Sequence, residues 1–225
     1  MAIDDTFIRG YRQLALEAPQ RPRDRVLRLL DVALSALFLL VALPGSLLLV
    51  LVIAATSGRP ILYRGERVGR GGRLFTMLKL RTLKADAEQR LGPYLGEELV
   101  RRTQDEFTPI GKWLKATQLD EIPQFWNVLR GDMSLVGPRP IRPAFFAELC
   151  QEIPQYWQRL VVRPGLTGLA QLRMTRETTW AEKLAHDLEY IADRSVSLYL
   201  SVILTTAWLL VVRPANRRSQ LHKLP

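Results

Sequence analysis

Residues 32–58 read VALSALFLLVALPGSLLLVLVIAATSG and contain no charged side chain. From residue 32 to residue 55 nearly every side chain is apolar. At about 1.5 Å of rise per residue, a helix of this length reaches across the hydrocarbon core of a bilayer. The run begins too late, is too long and lacks a small-residue cleavage site, which argues against a cleaved signal peptide. The stretch therefore predicts a membrane helix over residues 25–58.

Basic residues flank this run on both sides, at 21, 23, 25 and 28 before it and at 59, 64, 67, 70 and 73 after it. Cytoplasmic flanks of membrane helices carry an excess of Lys and Arg, so both ends are expected in the cytoplasm. Pro44 and Gly45 lie at the middle, where proline favours a kink, and Ser46 can bond a freed backbone group. A re-entrant helix that enters the membrane and turns back satisfies both flanks. A straight single span and a fully buried core helix are the alternatives.

A second uncharged run covers residues 195–212 and includes Tyr199 and Trp208. Serines and threonines interrupt it, and its length is marginal for a span. We therefore expect a helix that lies on the membrane interface or packs on the domain, with a second crossing as the alternative.

The composition narrows the function classes. The 225 residues carry a formal net charge of +10, which favours anionic partners such as nucleic acid, acidic lipid or a phosphorylated substrate. Cys150 is the single cysteine, and His186 and His222 are the only histidines, so a multi-cysteine zinc site and a histidine-rich metal site are excluded. Any catalysis must rest on carboxylates and on Lys and Arg, with or without a bound metal.

Between the two apolar runs the pattern alternates between extended and helical segments. Residues 61–63 and 74–78 flank a glycine-rich turn at 69–72, which predicts a β-hairpin. The turn lacks the spacing of a nucleotide-binding loop. A short amphipathic stretch covers 110–116, and Thr117 or Asp120 then caps a helix that ends at about residue 129. Further helices are expected over 142–160, with proline interruptions, and over 179–192, whereas 163–168 reads as a loop.

The strongest chemical signal is LDEIP at 119–123, followed by GDMSLVGPRP at 131–140. Asp120 can act as a nucleophile or a base, Glu121 can hold a hard cation, and Arg139 can bind a phosphate. Pro123 is acceptable near a helix start, which would place both acids at the positive helix end. Taken alone, the two acids are better explained as favourable charges at a helix N-terminus, and it is the neighbouring arginine motifs that favour a catalytic role.

Several longer motifs occur in a fixed order along residues 25–212, nearly everything outside the termini. They are RLLD at 28–31, RGERVG at 64–69, KLRT at 79–82, LDEIPQFWNVL at 119–129, the 131–140 segment and RPGLTGLAQ at 163–171. With these motifs the chain resembles the bacterial sugar transferases, specifically the small monotopic phosphoglycosyl transferases. It departs from the family's pattern at Leu80 and Leu83, at Leu43 before Pro44, and at Tyr199, where an Asp is common.

The resemblance implies a two-step reaction. Asp120 would attack the sugar-bound phosphate of a nucleotide-diphosphate sugar, usually uridine-linked, and release the nucleoside monophosphate. Polyprenyl phosphate, expected to be undecaprenyl phosphate, would then take the phosphosugar from Asp120, while Glu121 would hold Mg²⁺. The candidates for phosphate binding are Lys79, Arg81, Arg139 and Arg163. Asn127 and Gln171 are candidates for substrate binding or positioning.

The expected fold is α+β and mostly helical. It comprises a cytoplasmic lead at 1–24, a re-entrant membrane helix at 25–58, a cytoplasmic catalytic domain at 59–212 with a short β-hairpin and interfacial amphipathic helices (one at about 195–212), and a basic tail at 213–225. The protein is expected at the bacterial inner membrane with its site on the cytoplasmic face, in contact with anionic lipid of the inner leaflet, and a homodimer is an open alternative.

A membrane-anchored nucleic-acid-binding or adaptor protein is the competing function, because net charge alone permits it. Aromatic residues make up only 8% of the chain, and the sequence carries no recognition-helix or single-strand-binding motif, so nucleic acid is not the expected partner. An inactive family member with a scaffold role is a third reading, which the intact pair of acids disfavours.

Overall fold

The structure is a computed structural model that describes residues 22–91, 101–173 and 178–220. Residues 1–21 of the predicted lead (1–24) and residues 221–225 of the predicted tail (213–225) lie outside the described residues. The helices within these ranges are α1 Pro22–Ser57, α2 Ala87–Leu91, α3 Gly111–Thr117, α4 Gln124–Arg130, α5 Pro143–Glu152, α6 Leu169–Arg173, α7 Trp180–Asp193 and α8 Val196–Gln220. The mostly helical fold with one long apolar N-terminal helix is confirmed.

The predicted β-hairpin is present. Strands β1 Leu62–Val68 and β2 Leu74–Leu80 pair in antiparallel register, with Leu62 opposite Leu80 and Val68 opposite Leu74. A 3₁₀ turn at Arg70–Gly72 connects them. The hairpin places Lys79 near the end of β2, where it faces the pair of acids.

A second sheet was not expected from the sequence, because residues 163–168 read as a loop. Strands β3 Ser134–Val136 and β4 Gly165–Thr167 pair in parallel, which shows that the loop prediction was wrong for these residues. The strands meet because Gly137 and Gly165 allow a close approach: a Cβ on Gly165 would lie 2.1 Å from the Gly137 nitrogen. The segment that carries Arg139 therefore follows a fixed strand.

Helix α1 is continuous across Pro44. The Ser46 hydroxyl donates to the Ala42 carbonyl at 2.8 Å. The carbonyl that Pro44 leaves without an amide donor is that of Leu40, four residues earlier, so this bond is not the one expected from the sequence. The middle of the helix exposes large apolar side chains, including Leu40, Val41 and Leu47. Among the described helices, α1 alone is long and apolar enough to cross a membrane, judged by length and composition.

The N-terminal end of α1 is anchored to the rest of the domain. Arg28 donates to the carbonyls of Val128 and Leu129 at the end of α4, at 2.7 and 2.9 Å. Asp31 is buried and accepts hydrogen bonds from the Ser134 hydroxyl and from Tyr199, at 2.9 and 2.8 Å. Tyr199 thus supplies a hydroxyl to a carboxylate that comes from α1.

The C-terminal end of α1 contacts the same domain. Ile53 is fully buried against Leu80 and Leu114, and complete burial of such a side chain stabilises a fold by roughly 1.5–3 kcal/mol. Arg81 donates to the Ser57 carbonyl and, at 2.8 Å, to the Gly58 carbonyl. Both ends of the apolar helix therefore pack on one body, while its middle does not.

Helix α8 begins where the second apolar run was expected and extends to Gln220, past the predicted boundary at 212. It exposes Leu204 and Trp208 on one side. On the other side the Thr206 hydroxyl lies 2.7 Å from that of Thr167 in β4. Its apolar part, Val196–Leu210, is shorter than a candidate span, so the interfacial placement stays a prediction.

Candidate active site

Asp120 lies in a 3₁₀ turn, Leu119–Glu121, between α3 and α4. Gln118 adopts a left-handed conformation with φ of 58°, which ends α3 and redirects the chain into this turn. Helix α4 begins later than the sequence suggested, at Gln124 after Pro123, so neither acid lies within it. The turn buries Asp120 to 6% exposure at the wall of a cavity.

Glu121 is bound by two cations. Lys79 Nζ lies 2.7 Å from Glu121 Oε1, and Arg139 Nη2 lies 3.3 Å from the same oxygen. Lys79 Nζ is also 3.8 Å from Asp120 Oδ2. The structure thus brings together the predicted pair of acids and two of the four predicted phosphate-binding residues.

The two carboxyl groups differ in their electrostatic environment. Burial raises the pKa of Asp120 above its ordinary value and the neighbouring Glu121 raises it further, although Lys79 opposes the shift. Burial acts in the same direction on Glu121, but Arg139 and Lys79 outweigh it and lower the pKa of Glu121. Glu121 is therefore held as an anion, while Asp120 is the more basic oxygen nucleophile of the pair.

The cavity beside Asp120 has a volume of about 1000 Å³, and cationic side chains on its wall include Lys79, Arg81, Lys115 and Arg139. Lys115 was not singled out from the sequence. Burial lowers the pKa of Lys115 and Asp120 opposes that shift, while Lys79 and Arg139 add to it. The sequence signal that could have identified Lys115 is its position on α3, five residues before Asp120. A cavity of this size and charge fits a phosphorylated ligand of nucleotide-sugar size.

Asn127 has a positioning role. Its side chain is fully buried, accepts a hydrogen bond from the Leu78 amide at 2.9 Å, and donates to the Thr76 carbonyl at 2.8 Å. These bonds fix α4 to β2 immediately before Lys79. These two hydrogen bonds account for the burial of the Asn127 side chain without a contact to substrate.

A buried ion pair holds the segment that carries Arg139. Arg159 Nη2 donates to Asp187 Oδ2 at 2.7 Å and to the Arg139 carbonyl at 2.9 Å, and Nη1 donates to the Tyr156 hydroxyl at 2.9 Å. The Arg139 side chain itself is 53% exposed. Its position therefore depends on the hydrogen bond that the buried Arg159 donates to its backbone carbonyl. No local sequence pattern indicates this pair, because its members are 28 residues apart.

Asp187→Ala should lower the free energy of unfolding by about 3–5 kcal/mol, because it leaves the Arg159 charge buried without its partner. Thermal unfolding of the purified protein measures this loss. The double variant Arg159→Met/Asp187→Leu should recover most of the stability, since apolar replacements of a buried pair are often neutral. An Asp187→Ala protein as stable as the parent would contradict the assignment.

Two predicted phosphate-binding residues lie elsewhere or are already engaged. Arg81 lines the large cavity, but its guanidinium is bound to the carbonyls that end α1. Arg163 does not line that cavity; its Nε donates to the Gly131 carbonyl at 2.9 Å. In the sequence Arg81 lies next to a predicted strand and Arg163 next to a proline. Neither pattern indicates which backbone carbonyl the side chain binds.

Gln171 lies at a second, smaller cavity of about 140 Å³. Its amide nitrogen and oxygen have no hydrogen-bond partner among the described residues. Glu121 and Arg139 line this cavity on one side, and Leu209 of α8 lines it on the other. The pair of acids therefore lies between a large basic cavity and a narrow one that borders an apolar helix.

The carboxylates fit Mg²⁺ only together with a substrate. No group of three or more acidic, histidine or cysteine side chains that could hold a metal occurs within the described part of the chain. Mg²⁺ commonly binds through one or two carboxylates, substrate phosphates and water. Glu121 and Asp120 are adjacent in the chain, Asp120 at the wall of the large cavity and Glu121 at the wall of the small one, and together they meet that requirement.

Comparisons with known proteins agree with the order of the motifs. A family model described as bacterial sugar transferase matches residues 23–213. A UDP-glucose:undecaprenyl-phosphate glucose-1-phosphate transferase of Caulobacter vibrioides is 40% identical over 86% of this chain and 74% of its own length. An undecaprenyl-phosphate galactose phosphotransferase of Salmonella typhimurium is 30% identical over 91% of this chain and 45% of its own length. A UDP-glucose:undecaprenyl-phosphate glucose-1-phosphate transferase of Escherichia coli is 35% identical over 79% of this chain and 38% of its own length.

Proposed function

Since this chain belongs to the bacterial sugar transferase family, we propose that it transfers a sugar-1-phosphate from a UDP-sugar to undecaprenyl phosphate. The observation that carries this proposal is the buried Asp120 beside Glu121, with Lys79 and Arg139 bound to the glutamate at the edge of the large cavity. Carboxylate nucleophiles and fixed cations are what phosphoryl transfer needs from a protein.

The proposed reaction has two displacements at one phosphorus. A carboxylate oxygen of Asp120 bonds to the sugar-bearing phosphorus, and the phosphoanhydride bond to UMP breaks. A phosphate oxygen of undecaprenyl phosphate then bonds to the same phosphorus, and the acyl-phosphate bond to Asp120 breaks. Arg139 and Lys79 would balance the charge of the diphosphate, and Glu121 would hold Mg²⁺, which offsets phosphate charge when bound.

The two cavities suit the two substrates. The large cavity is lined by Lys79, Lys115 and Arg139 and has room for the soluble nucleotide sugar. The narrow cavity borders Leu209 and Leu210 of α8, an apolar surface from which a lipid-linked phosphate can approach. Asp120 lines the large cavity and its neighbour Glu121 lines the narrow one, so both substrates would meet at the same nucleophile. The identity of the sugar is left open, since the similar proteins named above differ in theirs.

We also propose that α1 is re-entrant and that the site faces the cytoplasm at the inner membrane. Two observations support this topology. Arg28 and Asp31 at one end, and Ile53 at the other, pack on the same domain. A straight span would carry the two ends of the apolar run to opposite sides of the bilayer, and would translocate the arginines before it.

Single cysteines placed at residues 5 and 90, in a Cys150→Ser background, should both resist an impermeant thiol reagent in intact cells. Both should label after the membrane is permeabilised. Replacing Pro44 and Gly45 by Leu removes the feature that favours a kink and should expose residue 5 to the reagent. Labelling at residue 5 in the otherwise unchanged chain would refute the re-entrant topology.

Lys79→Met should shift the acidic limb of the pH profile of kcat/KM to higher pH. Asp120 acts as the ionised carboxylate, so activity is lost as the pH falls through its pKa. Lys79 opposes the rise of that pKa, and its removal lets the pKa rise further. Lys112→Met, an exposed change on α3, is the matched control. An acidic limb that stays in place would contradict the role of Lys79.

The function itself is tested by incubating the detergent-solubilised protein with polyprenyl phosphate and a panel of nucleotide sugars. Release of a nucleoside monophosphate is expected with at least one sugar. Release of a nucleoside diphosphate would instead indicate transfer of the sugar alone. Salt-sensitive retention of nucleic acid without any cleavage of nucleotide sugars would favour the adaptor alternative.

A further inference from the structure

A separate cavity of about 190 Å³ lies where the base of α1 meets the domain. Asp120 does not line it. The charged side chains on its wall are Asp24, Arg28, Asp31, Arg70, Arg163 and Arg194. The volume is below the roughly 300–1,000 Å³ of pockets that enclose drug-sized ligands, so it suits a small anionic group rather than a nucleotide sugar.

The two carboxylates on this wall are already compensated. Asp24 accepts two hydrogen bonds from Arg194, at 2.7 and 2.9 Å. Asp31 accepts from Ser134, from Tyr199 and from a backbone amide in β3. Asp31 also lies 3.9 Å from the Arg28 guanidinium, so the two acids pair with Arg194 and Arg28, and the positive surplus of the wall falls on its other two arginines.

That surplus lies on Arg70 and Arg163. Arg28 uses its guanidinium on the carbonyls at the end of α4. Arg163 uses its Nε on Gly131, and the Arg70 Nε is buried without a hydrogen-bond partner among the described residues. Burial lowers the pKa of Arg163, and the charges of Arg28 and Arg70 lower it further. An anion in the cavity would relieve this repulsion and supply the acceptors that are lacking.

The position of the cavity indicates the source of the anion. Arg28 precedes the apolar run by four residues, which is about 6 Å along a helix. This depth rests on the membrane placement proposed above, and it corresponds to the headgroup layer, where basic side chains meet lipid phosphates. A lipid phosphate is therefore the favoured source, ahead of free inorganic phosphate.

We propose that this cavity binds a phosphate group through Arg70 and Arg163, and that the phosphate belongs to the headgroup of a membrane lipid. Guanidinium groups bind phosphate oxygens with two parallel hydrogen bonds, a geometry that lysine cannot reproduce. Occupancy would join α1, the hairpin turn and the segment before β4, because the lining residues come from all three.

The test is a thermal-shift titration of the delipidated, full-length protein in an uncharged detergent. One arm adds short-chain phosphatidylglycerol and the other adds inorganic phosphate, because a ligand that binds the folded state raises the unfolding temperature. Arg70→Gln should weaken phosphatidylglycerol binding at least ten-fold, and Arg70→Lys should also weaken it. Arg73→Gln, which removes an exposed charge three residues away, should leave binding unchanged.

An Arg70-dependent shift with inorganic phosphate, and none with the lipid, would keep the phosphate site but overturn the lipid as its source. Equal binding by the parent, Arg70→Gln and Arg163→Lys proteins would overturn the site. A loss of binding in the Arg73→Gln protein equal to that in Arg70→Gln would also overturn the site. The titration reads binding without turnover, so a protein that cleaves no nucleotide sugar still reports on this cavity.

Discussion

Asp120→Asn is expected to lower the rate of UMP release from a UDP-sugar by at least about 1,000-fold. The amide cannot form the acyl-phosphate bond, and the cations that bind Glu121 remain in place. Binding of the nucleotide sugar should persist, because the asparagine has nearly the same size. Steady-state release of UMP, measured with saturating nucleotide sugar and polyprenyl phosphate, checks the prediction.

Asp193→Asn is the matched control, since Asp193 is an exposed carboxylate on α7 outside the site. It should keep the parental rate. Thermal unfolding should show that Asp120→Asn is folded, and its midpoint is not expected to fall, because burial disfavours the ionised carboxyl that the change removes. A folded Asp120→Asn protein that retains a tenth of the parental rate would exclude this residue as the nucleophile.

Glu121→Gln should lower kcat by about 100-fold or more and weaken the dependence of the rate on Mg²⁺. The change removes the anion to which Lys79 and Arg139 are bound. It also replaces an anionic carboxylate ligand, which a hard cation prefers, by a neutral amide. Release of UMP measured across a Mg²⁺ series, with and without excess chelator, gives both quantities.

Glu152→Gln, an exposed change at the end of α5, is the control for this second prediction. It should show the same Mg²⁺ dependence as the parent. Full activity of the parent protein in excess chelator would contradict the role of Mg²⁺. A Glu121→Gln protein with parental kcat would leave this glutamate with a structural role only.

The parts of the fold that the sequence predicted are those with local signals. The charge-free run at 32–58 fixes one long apolar helix, and the glycine turn between two apolar segments fixes the hairpin. The acids at 120 and 121 were found together because they are adjacent in the chain. Lys79 and Arg139 were found because their motifs are specific, and the fold places them on Glu121.

The parts that were missed depend on contacts between distant residues. The β3–β4 sheet consists of three-residue strands, too short to give a periodic pattern, and depends on two glycines that touch. Arg159 and Asp187 have no shared motif, although their pair fixes the segment that carries Arg139. A guanidinium reaches several ångströms from its backbone, which is why the targets of Arg81 and Arg163 could not be read from spacing.

The most direct test of the account is the intact mass of the protein after incubation with UDP-sugar and Mg²⁺ in the absence of a lipid acceptor. The predicted result is a mass increase of one sugar phosphate, located on Asp120 by peptide mapping, with one UMP released per modified chain. Addition of polyprenyl phosphate should remove the increase and yield the lipid-linked sugar. An unmodified protein that still makes this product only when both substrates are present would contradict the account, because it would require direct transfer between them.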